Sequence, residues 1–231
     1  MSNEPVYRFG EHAPAVGLSG FVSCYWDFIV DGTDLQSVPH VIPPDGCINL
    51  VCVVLPHPPG VVLQLNGPRV GEQTIQIYVD LPVWGVRFFP GATSGLLGVT
   101  GRSLFDSDAS AFERIPEIAN NLKSASPPDP STADVLKAFD DTLLTAVSQA
   151  RDVNCTVAAG VKALVSSRGN TSIEEISQRL NVSVRHFQRL FREEVGLTPK
   201  EFARIRRFRA AAVQSIGDAK VNWSAIANRT G

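Results

Sequence analysis

"NTSIEEISQRLNVSVRHFQRLFREEVGLTPKEFARIRRFRAAAVQSI", residues 170–216, contains three helix starts that can be read from capping chemistry alone. Ser172 with Glu175 has the spacing of a capping box, so a helix opens at Ile173 and buries Ile173, Ile176 and Leu180 before it stops at Asn181. Ser183 caps a second helix from Val184 after a very short connection. Gly196 follows Val195 as a left-handed terminator. Thr198, Pro199 and Glu201 then supply the N-cap, first-turn proline and capping-box partner of a third helix. Two short helices joined by a tight turn make a helix-turn-helix unit.

The middle helix, residues 184–195, has two chemically distinct faces. Phe187, Leu190, Phe191 and Val195 recur at spacings of three and four and must face a core. Arg185, Gln188, Arg189 and Arg192 recur with the same period on the other side. Arginine bonds in bidentate fashion to guanine O6 and N7, glutamine to adenine N6 and N7, and a helix fits the major groove of B-DNA. A basic face on a core helix is most often merely solvated. Here the capped pair and the sidedness together point to double-stranded DNA as a partner.

Residues 172–212 resemble the first half of the DNA-binding domain of AraC/XylS-type transcription regulators. The likeness rests on the "S-x-R-x-F-x-R-x-F" pattern of the middle helix, the "G-L-T-P" bend and the "R-I-R-R-F-R-A-A" helix that follows. It implies two helix-turn-helix units joined by one long helix and entering successive major-groove segments. By position, Arg185, Gln188 and Arg189 would contact bases and Arg192 phosphate. Ser177 stands where that family more often has Ala, which should loosen helix packing slightly.

Charge is distributed to match. The chain has 231 residues and a formal net charge of -2. Residues 161–231 nevertheless hold 13 Lys+Arg against 6 Asp+Glu, and residues 1–160 hold 8 against 17. A basic third behind an acidic remainder suits a polyanion-binding module attached to something that does not bind nucleic acid. The start, "MSNEPVYRFGEH", lacks an apolar segment of signal-peptide length, and no later apolar run is long enough to span a membrane, so a cytoplasmic protein is expected.

From Val16 to about Phe89 the sequence is short apolar or alternating runs between turn residues. "FVSCYWDFIV" ends at Asp31-Gly32, "CINLVCVVL" lies between "PPDG" and "PHPPG", and "TIQIYVDL" puts Ile75, Ile77 and Val79 on one face. This predicts an all-β sandwich or small barrel, in which "NLVCVVL" is a strand buried on both faces. After Gly101 the period becomes helical. "AFERIPEIANNLKSA" is interrupted by Pro116, "TADVLKAFDDTLLTAVSQA" carries the stripe Val135, Leu136, Phe139, Leu143 and Val147, and "TVAAGVKALVSSRG" closes at Gly169.

The expected fold class is therefore a multidomain α+β chain with three parts. Residues 1–103 form a cupin-like β domain that senses an effector or dimerises, 104–152 a helical linker, and 153–231 the DNA-binding domain. "VIPPDGCINLVCVV" and "WGVRFFPGA" resemble an uncharacterised β-rich domain that precedes this type of DNA-binding domain in many bacterial regulators.

Trp26, Asp45, Trp84 and Arg87 are the ligand-binding candidates of the β half. Arg87 lies in an otherwise apolar strand and needs a partner if buried. An anionic effector would provide one, but pairing with Asp45 or another carboxylate to fix the barrel is the simpler reading. Cys24, Cys47, Cys52 and Cys155 show no C-x-x-C pairing, so buried reduced thiols are expected rather than a zinc site or disulfides. His12, His40, His57 and His186 are far apart, and no nucleophile elbow or phosphate loop is present. No cofactor, metal or catalysis is expected.

The final residues, "VNWSAIANRTG", match the first helix of the family's second helix-turn-helix, with Trp223, Ile226 and Ala227 packing inward. The sequence thus reads as one complete reading head with a second one cut short. The competing reading is a ligand-binding or dimerisation protein with no specific DNA binding of its own.

Overall fold

The computed structural model describes residues 4–55 and 60–215. Among the described residues are eight strands: β1 (Val6–His12), β2 (Val22–Asp31), β3 (Ser37–Ile42), β4 (Asn49–Leu55), β5 (Gly60–Asn66), β6 (Gln73–Tyr78), β7 (Val83–Phe88) and, after the first helix, the short β8 (Asp108–Ser110). Six form an antiparallel sheet of order β1-β2-β7-β4-β5-β8, and β3 pairs with β6 in a second sheet. The larger sheet ends at β1 and β8, which do not pair, so it stays open, compatible with a sandwich and not with a closed barrel.

Register decides which side of this sheet is core. Leu50 of β4 stands beside Val86 of β7 and Leu65 of β5, and Cys52 beside Trp84 and Leu63. All six are buried. Asn49, Val51, Val53 and Leu55, which alternate with them, are only half-buried. The expectation that "NLVCVVL" is buried on both faces is thus corrected: helices cover one face, and a two-stranded sheet cannot cover all of the other.

The covering helices are α1 (Thr93–Leu97), α2 (Ala111–Arg114), α3 (Pro116–Ala125) and α4 (Thr132–Val147), with a 3-10 turn at Gly101–Leu104. Pro116 opens α3 at its first turn, where its missing N–H costs nothing. Ser131 and Asp134 form a reciprocal capping box on α4. Val135, Ala138, Phe139 and Leu143 then pack into the same core as Tyr25, Leu50, Trp84 and Phe88. Tyr25 Oη donates to Asp140 Oδ1 at 2.7 Å and its ring meets Phe139 at 5.4 Å. Burial and the Asp140 carboxylate raise the Tyr25 pKa, so the phenol stays protonated and keeps donating. The helices of residues 104–152, expected as a linker, therefore share the sheet's core.

The remaining helices, α5 (Cys155–Ser166), α6 (Ile173–Arg179), α7 (Val184–Val195) and α8 (Pro199–Ser215), enclose a second core that includes Val157, Leu164, Ile176, Phe187, Phe191 and Phe202. A small third cluster, Val30, Val38 and Ile77, joins β2 to the two-stranded sheet. All four cysteines are free. Cys47 precedes β4 instead of lying within it, and Cys155 is exposed at the start of α5, outside the apolar stripe of Val157, Val161 and Leu164. Not every thiol is buried, as had been expected. The stretch from Val221 to Gly231 lies outside the described residues.

Candidate nucleic-acid interface

The helix pair forms as its capping residues dictate. Ser172 Oγ accepts from Glu175 N at 3.0 Å and Ser183 Oγ from His186 N at 3.2 Å. The Glu175 carboxylate pairs with Arg179 in place of the expected return bond to Ser172. Between the helices Asn181 takes the left-handed conformation, φ 53°, which Asn tolerates better than most residues. Gly196 ends α7 at φ 85°. At the start of α8 both halves of the Thr198–Glu201 capping box are made.

Helix α7 is anchored by aromatic rings. Phe187 meets Phe191 at 5.5 Å and Phe191 meets Phe202 of α8 at 5.6 Å, both edge-on, and all three are fully buried. Burying such a ring contributes about 1.5–3 kcal/mol, so the apolar side of α7 has one seat. Its opposite side is thereby fixed outward. Arg185, Arg189 and Arg192 are exposed and Gln188 is half-buried. These four, with Thr198, Pro199 and Lys200, line one shallow groove of about 440 Å³. Lys200 was not singled out from sequence, although the "G-L-T-P" bend that turns α8 back beside α7 is a signal for it. Arg189 Nη2 lies 3.4 Å from His186 Nδ1, within its own helix turn.

Acidic groups on α7 are turned away from this groove. Glu194 accepts a short hydrogen bond from Ser94 Oγ, and Glu193 meets Arg102 at 3.2 Å and Thr100 Oγ1 at 3.5 Å. Backbone contact accompanies these bonds, because Gly101 and Gly196 approach too closely for side chains on either. None of these β-domain contacts was legible in the sequence, since nothing in residues 94–102 marks them as partners of a helix ninety residues on. Further along α8, burial followed by repulsion from Arg209 lowers the Arg206 pKa. Its Nε has no partner among the described residues.

The four sensor-half candidates do not form one site. Arg87 is paired with Asp45 at 3.2 Å and Glu11 at 2.8 Å. Asp45 also accepts from Cys47 N and Asn49 Nδ2. The Trp26 ring lies against Gly85, where any side chain would displace it, on the same face of the sheet as Arg87. Trp84 points to the other face, buried in the helix-covered core with its Nε1 donating to Thr132 Oγ1 at 3.2 Å. Among the described residues no group of three or more His, Cys, Asp and Glu side chains is arranged to hold a metal ion. No helix among them is long and apolar enough to cross a membrane.

Residues 168–204 match the family model described as bacterial regulatory helix-turn-helix proteins, AraC family. Residues 10–110 match a domain of unknown function, DUF6597. No curated protein matches the chain. No solved structure matches it either.

Proposed function

We propose that this chain, an AraC-type regulator whose helix-turn-helix follows a DUF6597 domain, reads double-stranded DNA with α7 in the major groove. The family match supports DNA-binding transcription regulation, and it points to a regulatory protein and not to an enzyme. The observation that carries the finer reading is the outward face of α7. Arg185, Gln188 and Arg189 stand on a capped helix that three buried rings hold in place. In this reading they contact base edges, and Arg192 with Lys200 contacts phosphate.

The two roles separate experimentally. Arg189→Ala should cost about 1–3 kcal/mol on a preferred duplex and relax discrimination at one base pair. Arg192→Ala should weaken all sequences alike and lower the slope of log K against log salt by about 0.9. Unchanged affinity in both variants would refute the assignment.

The DUF6597 domain, in the same reading, senses an effector or pairs with a second copy in a cytoplasmic homodimer. Two observations support a sensing role over a passive one: it touches α7 through the polar pairs Ser94–Glu194 and Arg102–Glu193, and it meets the DNA-binding helices at a glycine-lined seam. Sedimentation across a concentration series tests the pairing. The geometry around Arg87 favours pairing within the fold over effector capture, because Asp45 and Glu11 already meet its charge.

A further inference from the structure

Six arginines lie between residues 4 and 152. Four of them meet a carboxylate: Arg8 with Asp31, Arg69 with Asp106 and Asp108, Arg87 with Glu11 and Asp45, and Arg102 with Glu193. Arg114 and Arg151 meet none among the described residues, and both line the same cleft between α1, α3, α4 and the segment that leaves α4. Arg114 Nη2 donates at 2.9 Å to Ser103 Oγ, a neutral acceptor. Glu117 is the single carboxylate of the lining, so its arginines and glutamate sum to a positive charge.

The cleft measures about 500 Å³, within the usual range for small-molecule sites. Its floor is apolar, with Leu96, Ile115 and Ala146, and Thr142 and Gln149 add hydrogen-bonding groups. Guanidinium forks match carboxylates in bidentate geometry, and an apolar floor rewards a ligand with a hydrocarbon body. The chemistry therefore suits a small carboxylate bearing a compact apolar group.

The position of α1 gives this cleft a consequence. Ser94 lines the cleft and donates from Oγ to the Glu194 carboxylate on α7. One residue on, Gly95 accepts at 3.0 Å from the backbone N–H of Arg151. A five-residue helix thus joins one cleft arginine to the C-terminal end of the DNA-facing helix.

We infer that the cleft binds a small apolar carboxylate between Arg114 and Arg151, and that α1 transmits its occupancy to α7 through Ser94 and Glu194. The transmission rests on the DNA-binding reading above; the binding site does not. A ligand that draws the two guanidiniums together pulls on the segment bonded to Gly95 and so shifts the helix that holds Glu194.

The probe is benzoate, titrated calorimetrically into the full chain. It should bind at one site, with acetate, which lacks the apolar body, weaker by about tenfold or more. The double variant Arg114→Gln/Arg151→Gln should lose about tenfold or more in benzoate affinity with its melting curve unchanged, since both side chains are exposed. Saturating benzoate should also shift the Kd for a duplex selected from a random pool by about fivefold or more. Glu194→Ala, which removes the acceptor on α7 and lies outside the cleft lining, should abolish that shift while keeping calorimetric affinity within about twofold. Absent binding, or equal binding by wild type and double variant, overturns the site. An undiminished shift in Glu194→Ala overturns the transmission. Benzoate binding by a chain that holds no duplex would refute the DNA-binding reading instead, and calorimetry alone then decides the site.

Discussion

Gly101 lies against the backbone of Val195 at the end of α7: a Cβ on Gly101 would stand 2.2 Å from the Val195 carbonyl carbon. The β domain and α7 are therefore in main-chain contact. Gly101→Val must push them apart, at a cost of about 1–3 kcal/mol as for other overpacked sites. Hydrogen exchange at residues 193–197 should accelerate and duplex affinity should fall. Wild-type exchange in the variant would mean that the contact does not hold the helix.

Ser177 is buried on the helix that packs behind α7, and its hydroxyl has no partner among the described residues. Sequence comparison suggests only a slight loosening there; the structure gives the cause as an unmet polar group. Removing an unsatisfied hydroxyl returns its desolvation cost, so Ser177→Ala should stabilise the chain by about 1 kcal/mol in urea denaturation. A loss of stability would show that the hydroxyl has a partner in solution.

His40 on β3 stacks among Phe28, at 4.7 Å, and Tyr7, at 6.1 Å, and burial lowers its pKa below the ordinary 6.5. Below pH 6.5 the unfolded chain binds a proton that the folded chain resists, so folding stability falls as pH drops through the window between 6.5 and the lowered value. His40→Phe should flatten this part of the stability profile. A slope equal in wild type and variant would assign it to other groups.

The thiols should react in an order set by exposure. Cys155 is exposed, whereas burial pushes the Cys52 thiol up to about 12 and raises Cys47 further. A chromogenic disulfide at pH 8 should label Cys155 in the native chain and reach Cys47 and Cys52 only after unfolding. Rapid labelling of all four in the native chain would contradict the packing of β4.

The helix ends near the interface were legible because capping is local. Ser172, Ser183, Gly196 and Thr198 each act within four residues of themselves. The outward face of α7 was legible for a related reason, since helical period alone separates Phe187 and Phe191 from Arg185 and Arg189. Sheet burial was not: helices that start forty residues later cover the face of Leu50 and Cys52, and their placement leaves Val51 on the less covered side. The pairing of Arg87 with Asp45 was anticipated as one of two options, and the added bond to Glu11 comes from the neighbouring strands of the sheet. Trp84 and Arg87 looked alike in sequence as residues of one strand. Three positions apart on a strand, they face opposite ways, and only the covered face tells which is core.

Methylation interference on a duplex selected by the full chain tests the central claim most directly. If α7 reads the major groove, methylation of guanine N7 at particular positions should abolish binding. Arg189→Ala should erase interference at one of those positions while leaving the others. Interference confined to the minor groove, or a pattern identical in wild type and Arg189→Ala, would contradict the assignment of α7 as the reading helix.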